Sequence, residues 1–184
     1  MMFSSENFLL LIKSGQCSLF CKIIYHGKPA LEGFRFKDDC LRKGIWKDGK
    51  LVEGEKFFTN GTAEKGYFAN DLLYYGERRT KKCIEKGYFS KGIFTKGTTY
   101  FSNNSKFEGS HNIKTNKRVG KFFGVDGQLK LYGTWFLKDN IKYFEGIEHC
   151  NNGCQKYKVL IKFNKNKPCE YLSKMNLRKR KRKN

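Results

Sequence analysis

Residues 42–77 read RKGIWKDGKLVEGEKFFTNGTAEKGYFANDLLYYGE, one full copy of a repeated unit and the start of the next. The stretch KGIWKDGKLVEGEKFFTNG gives way to KGYFANDLLYYGERRTKK and then to KGYFSKGIFTKGTTYFSNN. Each copy has a glycine, an aromatic position, a turn, a second glycine, an extended run and a second turn. Runs of Phe, Tyr, Ile and Val broken by Asn-Gly or Asp-Gly are the strongest short-range signal for β-hairpins. Those dipeptides tolerate the positive φ that a two-residue hairpin turn requires. Working outward, one set of turns falls near Gly27, Gly49, Asp71, Gly92, Asn116, Asn140 and Lys165. The other falls near Asp38, Gly61, Lys81, Asn103, Gly127 and Asn152. The chain therefore reverses about every dozen residues from Cys17 to Phe163, which predicts about thirteen short strands in an up-and-down meander.

A second set of glycines falls inside the strands. Gly44, Gly66, Gly87, Gly109 and Gly133 form one series, and Gly33, Gly54, Gly76, Gly97, Gly120 and Gly146 form the other. A glycine inside a strand marks a bend or a close approach. With Trp46, Phe58, Tyr67, Phe68, Phe89, Phe123 and Trp135 nearby, rings are expected to cover the bare backbone and stabilise a curved single sheet.

The stretch G-I-W-K-D-G-K-L-V-E-G-E-K-F-F-T-N-G, residues 44–61, resembles a MORN repeat. G-K-F-F-G-V-D-G-Q-L-K-L-Y-G-T-W-F, residues 120–136, resembles the MORN-variant form of bacterial antitoxin-like proteins. The resemblance runs from about Leu31 to Gly146 and is strongest from Gly44 to Phe89. Phe20 and Tyr157 stand where a series glycine is expected, and Tyr74-Tyr75-Gly76 lacks the usual small residue. The resemblance implies an all-β, single-layer antiparallel hairpin solenoid used as a scaffold or binding surface, with no catalytic residues to carry over.

With 184 residues, 39% of them hydrophobic and 16% aromatic, the chain has the means to fold as one domain. Its formal charge of +21 favours polyanionic partners. Lys and Arg are spread over nearly every strand and turn, and the abundance of Lys and Asn also fits an AT-rich coding sequence. Seven cysteines, an odd number, come without a secretion signal, because Phe8 to Ile12 is too short an apolar run. Reduced thiols in the cytoplasm or nucleus, and no transmembrane segment, are expected.

The ends read differently from the repeats. Residues 1–16 are expected to form a capping helix, with Ser4 or Ser5 as N-cap and Gly15 as its stop. Residues 17–163 form the repeat domain. In 164–177 a polar break leads to Pro168, and Tyr171, Leu172 and Met175 recur at helical spacing, so a second capping helix is expected. In the tail, 178–184, the run Arg178, Lys179, Arg180, Lys181, Arg182 and Lys183 repels itself and stays extended. It fits a nuclear import address, a nucleic-acid tail or a lipid tether.

Catalytic chemistry finds little support. All six aspartates fall in predicted turns, which local side-chain bonding explains. Glu32, Glu53, Glu108 and Glu145 each precede a series glycine and are expected to face solvent opposite cross-strand lysines. His26, His111 and His149 are scattered. Cys17, Cys21, His149, Cys150 and Cys154 are ligand types for zinc. Strand residues four apart are about 13 Å apart, however, and the two clusters lie many strands from each other. No cofactor, metal or catalytic residue is expected.

Two functions follow. The first is a non-enzymatic scaffold that binds a protein partner or a second copy through Trp46, Phe58, Phe68, Phe89, Phe123 and Trp135. The second is a polyanion-binding module for nucleic acid or an anionic membrane surface. It would use the tail and the interleaved Lys56-Phe57-Phe58, Lys121-Phe122-Phe123 and Lys142-Tyr143-Phe144.

Overall fold

The computed structural model describes residues 17–26, 28–149, 156–163 and 169–176. Among them are fourteen strands, hydrogen-bonded in sequence order into one antiparallel sheet, and no helix. No described helix is long and apolar enough to cross a membrane. The chain divides into two compact units, residues 1–93 and 94–184. The first holds β1 (Cys17–Tyr25), β2 (Lys28–Lys37), β3 (Cys40–Lys47), β4 (Lys50–Phe58), β5 (Ala63–Ala69), β6 (Leu72–Arg79) and β7 (Cys83–Ser90). The second holds β8 (Ile93–Phe101), which begins at the boundary, β9 (Lys106–Asn112), β10 (Lys117–Phe123) and β11 (Leu129–Lys138). It ends with β12 (Ile141–His149), β13 (Lys156–Phe163) and β14 (Glu170–Asn176).

The turn chemistry produces the meander as expected. Asp38-Asp39, Asp48-Gly49, Asn70-Asp71, Lys91-Gly92 and Asp139-Asn140 each have two successive positive φ values, between 49° and 74°. That is the backbone of a tight hairpin turn whose twist matches its flanking strands.

The strand glycines form one cross-strand row in each unit. In the first unit Gly33, Gly44, Gly54, Gly66, Gly76 and Gly87 stand opposite one another in turn. In the second the row runs Gly97, Gly109, Gly120, Gly133, Gly146. At Gly54, φ is +149°, and an added Cβ would lie 2.1 Å from the Lys43 carbonyl oxygen and 2.8 Å from the Gly44 Cα. What closes on these glycines is chiefly the backbone of the next strand, not a covering ring as the sequence suggested. A ring does reach the site at Gly109 and Gly146, where Phe107 and Phe144 Cζ would lie 2.8 and 2.7 Å from an added Cβ. At the low end of the row Phe20 stands opposite Gly33, as expected. At the high end Val159, not Tyr157, stands opposite Gly146.

Trp46, Phe68 and Phe89, each two residues after a row glycine, lie in the interior, and the register shifts after Ile45 and Tyr67 bring Leu51 and Leu73, three residues before theirs, opposite Trp46 and Phe68. In the first unit Cys40, Trp46, Leu51, Phe68, Leu73 and Phe89 are buried. In the second, Phe144, Val159 and Ile161 form a cluster against Leu131, Trp135, Tyr157 and Phe163.

The expected C-terminal helix is a strand over Glu170–Asn176, which also raises the strand number above the expected thirteen. Pairing with β13 satisfies backbone groups along an edge that would otherwise be open, and this outweighs the helical spacing of Tyr171, Leu172 and Met175. The strand also places Lys174 Nζ 2.8 Å from Glu148 and 4.3 Å from the Tyr157 ring centroid. The expected N-terminal helix and the basic tail lie outside the described residues.

Gly54→Ala is expected to lower unfolding free energy by about 3 kcal/mol or more, since the clash and the positive φ add. Gly49→Asn, in a turn with nothing within 4 Å of an added Cβ, should change it by less than about 1 kcal/mol. Urea midpoints compare them, and equal midpoints would refute the close-approach account.

Candidate binding surfaces

The rings proposed from sequence as a binding face are largely engaged within the chain. Arg35 Cζ stands 4.8 Å from the Trp46 ring centroid, Lys56 Nζ 4.7 Å from Phe68, and Arg78 Cζ 4.8 Å from Phe89. Each cation also donates to a carbonyl in the next hairpin turn. Arg35 Nη1 reaches Gly49 O at 3.5 Å, Lys56 Nζ reaches Asp71 O, and Arg78 Nη2 reaches Gly92 O at 2.6 Å. Every one of these cations and rings sits two residues after a row glycine. This is one device, used three times: a cation lies on the ring of the next strand and holds the turn beyond it.

The same positions form a registered line across the first unit, Arg35, Arg42, Lys56, Glu64, Arg78, Glu85. Lys56 and Glu64 are buried in it. Arg78 Nε and Nη2 donate to Glu64 Oε1 at 2.9 and 2.7 Å. Burial pushes the Lys56 ammonium below its ordinary pKa, against the pull of Asp71 and Glu64.

Trp46, Phe68 and Phe89 are therefore core residues, only 2%, 6% and 3% exposed. Phe58 and Phe123 are half-buried, and Lys106 Nζ covers Phe123 at 4.5 Å. Trp135 is wedged between Phe107 and Phe144, at centroid distances of 5.2 and 4.6 Å. As an accessible face, the first four of the set taken in chain order do not assemble: three are buried under their own cations and the fourth is half-buried.

Three accessible rings of the first unit lie one residue from the row, where strand alternation turns the side chain to the opposite face. Tyr67, Tyr75 and Tyr88 adjoin Gly66, Gly76 and Gly87, stand opposite one another on β5, β6 and β7, and are 46%, 44% and 47% exposed. Their centroids are 6.5 Å apart for Tyr67–Tyr75 and 4.8 Å for Tyr75–Tyr88. Sequence reasoning missed this ladder by treating every ring near a row glycine alike; the odd or even offset carries the distinction as far as the register shift after Tyr67, beyond which Tyr74, two residues before Gly76, is 54% exposed.

Across the row on the same face runs a charge zipper, Lys43, Glu55, Lys65, Glu77, Lys86. Lys65 meets Glu55 and Lys86 meets Glu77 at 2.9 Å each. The Lys86 ammonium, bonded to Glu77, holds that carboxyl below its ordinary pKa. The cross-strand ion pairs of the first unit thus use glutamates that follow a row glycine; of those that precede one, Glu108 stands opposite Lys121 as expected. Glu53 faces Ile45 and Tyr67, and accepts from the Tyr25 hydroxyl at 2.5 Å. Glu108 pairs with Lys106 of its own strand at 2.6 Å.

In the second unit an open groove of about 370 Å³ is lined by Phe101, Phe122, Trp135, Phe136, Arg118 and Lys142, among others. Phe101 and Phe122 are 6.4 Å apart, and Lys117 Nζ stands 6.0 Å from the Phe136 centroid. Among the described residues, no cluster of three His, Cys, Asp or Glu side chains is arranged to hold a metal ion. Cys150, Cys154 and the basic tail lie outside those residues. No protein-family model matches the chain, and comparison with curated protein sequences gives no match.

Arg78→Ala is expected to cost about 3 kcal/mol or more, because it leaves Glu64 buried without its main partner. Denaturant titration measures it, and a loss below about 1 kcal/mol would show that the cation does not hold the unit. The Glu53 hydrogen bond, with burial and the Glu53 charge, pushes the Tyr25 hydroxyl up to about 12. A raised folded pKa favours the protonated form in the folded state, so this stability is full below about pH 10 and lost as pH climbs to 12. Unfolding free energies of wild type and Tyr25→Phe should therefore converge across that window; parallel curves would show that the bond carries no linkage.

Proposed function

We propose that the chain is a non-catalytic MORN-like scaffold that binds a protein partner through the tyrosine ladder of its first unit. The observation that carries this reading is the in-register stack of Tyr67, Tyr75 and Tyr88, each nearly half exposed. Tyrosine gives large, stiff contact area at small entropic cost and keeps a hydroxyl for polar contacts, which is why it concentrates at protein interfaces. The ladder sits on strands fixed by the glycine row and the cation pins, so little ordering is needed on binding.

Charge supports a protein rather than a polyanion on this face. Lys65 and Lys86 are neutralised by Glu55 and Glu77, so the face presents alternating signs beside the rings. Alternating charges suit a partner with its own mixed rim and give it register. The tail from Arg178 to Lys183 fits a nuclear import address, which would place such a scaffold in the nucleus as well as the cytoplasm.

Tyr67→Ser, Tyr75→Ser and Tyr88→Ser combined should leave the melting temperature within a few degrees, since these side chains contribute little to the core. Quantitative affinity capture should then lose a defined set of partners that wild type retains, with Lys138→Ser, an exposed position of the second unit, as the control that retains them. Identical capture profiles for wild type and the triple variant would remove the ladder as the interface.

A further inference from the structure

We propose that the groove of the second unit is a binding site for single-stranded nucleic acid, with bases on its rings and phosphates on Arg118 and Lys142. Three independent features converge there. The first is the lining: Phe101, Phe122 and Trp135 line one open groove and are each half-buried, so none is wholly closed off, while the Phe136 ring turns to the other face against Tyr143. Stacking on such rings accepts any base, because every base has a π-face.

The second is charge. None of the groove's described lining residues is acidic, while Arg118 and Lys142 are exposed at its wall and make no ion pair among the described residues. This contrasts with the zipper lysines of the first unit, which are paired with glutamate. Unpaired cations beside rings are what a phosphodiester backbone needs on a stacking platform. Residues 94–149, which include every described lining residue of the groove, carry nine lysines and arginines against five acidic side chains, so the surroundings of the groove favour polyanions.

The third is geometry. Arg118 stands opposite Trp135 across β10 and β11, and Lys142 stands opposite Leu137 across β11 and β12. The two cations thus flank the strand that carries Trp135, one from each side. A base on the groove's rings keeps its phosphates within reach of both. Paired, stacked bases cannot present their faces to the rings, so a duplex does not fit the same use.

Tryptophan fluorescence tests the site. The chain has two tryptophans, and Trp46 is buried in the other unit, so quenching on binding reports Trp135. Full-length protein with all six tail cations replaced by glutamine is titrated with an oligouridylate of about ten nucleotides, a length within the span of single-strand sites. The expected result is saturable quenching that vanishes in Trp135→Phe. Arg118→Ala with Lys142→Ala, which leaves the buried rings in place, should weaken binding about tenfold or more. It should also flatten the log–log salt slope by about 1.4, the value for two lost phosphate contacts on a single strand. Circular dichroism melts confirm that each variant is folded. Any of four results would overturn the proposal. These are no binding once the tail is neutralised, quenching that survives in Trp135→Phe, duplex binding as tight as single-strand binding, or capture by phosphatidylserine vesicles without oligonucleotide binding.

Discussion

The first unit depends on a cation laid over a ring. Arg35, Lys56 and Arg78 each cover the aromatic residue of the following strand and reach the carbonyl of the turn beyond it. A single sheet has no second layer to bury its rings against, so each ring needs a cover from its own chain. A lysine or arginine supplies one: its stem is apolar, its head is attracted to the π-face, and its N–H groups satisfy a carbonyl. The glycine row makes this geometry attainable, because backbone of the neighbouring strand lies within 3 Å of where a Cβ on Gly44, Gly54, Gly66 or Gly76 would sit. Fixed turn, bent strand and covering cation are thus one cooperative arrangement repeated along the chain.

The second unit solves the same problem with less charge. Thr99 holds the position two residues after Gly97 where a cation would stand, and its hydroxyl is buried without a hydrogen-bond partner. His111 holds the corresponding ring position, with Nδ1 3.3 Å from the Phe94 carbonyl oxygen. Farther on, burial passes to an apolar cluster around Phe144, Val159 and Ile161. Cations still cover rings in this unit, Lys106 on Phe123 and Lys174 on Tyr157, but from other positions than two residues after a row glycine. Arg118 and Lys142 are exposed beside the groove.

Much of the fold was legible because turns and glycines act locally. Asp48-Gly49, Asn70-Asp71 and Asp139-Asn140 adopt the positive φ that their side chains tolerate, wherever the rest of the chain goes. The glycine series was legible as a periodicity, although the reason for it was not. Whether a ring or a carbonyl closes on Gly54 depends on the path of β3, which no local pattern encodes. The fate of Glu170–Asn176 was also hidden, since Tyr171, Leu172 and Met175 satisfy helical spacing and only the open edge of β13 decides for a strand. The site was the least legible part. Phe68 and Tyr67 are neighbours, equally aromatic and equally close to Gly66, yet one is core and the other surface.

That parity has a consequence for how such a chain can change. Positions two residues after a row glycine of the first unit carry the pins and the rings they cover, so replacing them disturbs the repeat itself. Positions one residue away, such as Tyr67, Lys65, Tyr75 and Glu77, touch solvent on the other face and interact chiefly with their own cross-strand neighbours. Exposed cross-strand pairs contribute about 1 kcal/mol or less, against several for a buried charged partner. Recognition can therefore be rewritten at the positions beside the row without refolding the sheet, while the pins and the rings they cover stay fixed by packing. A repeat built this way separates its stability from its specificity within every strand, and the tyrosine ladder stands on the side that is free to vary.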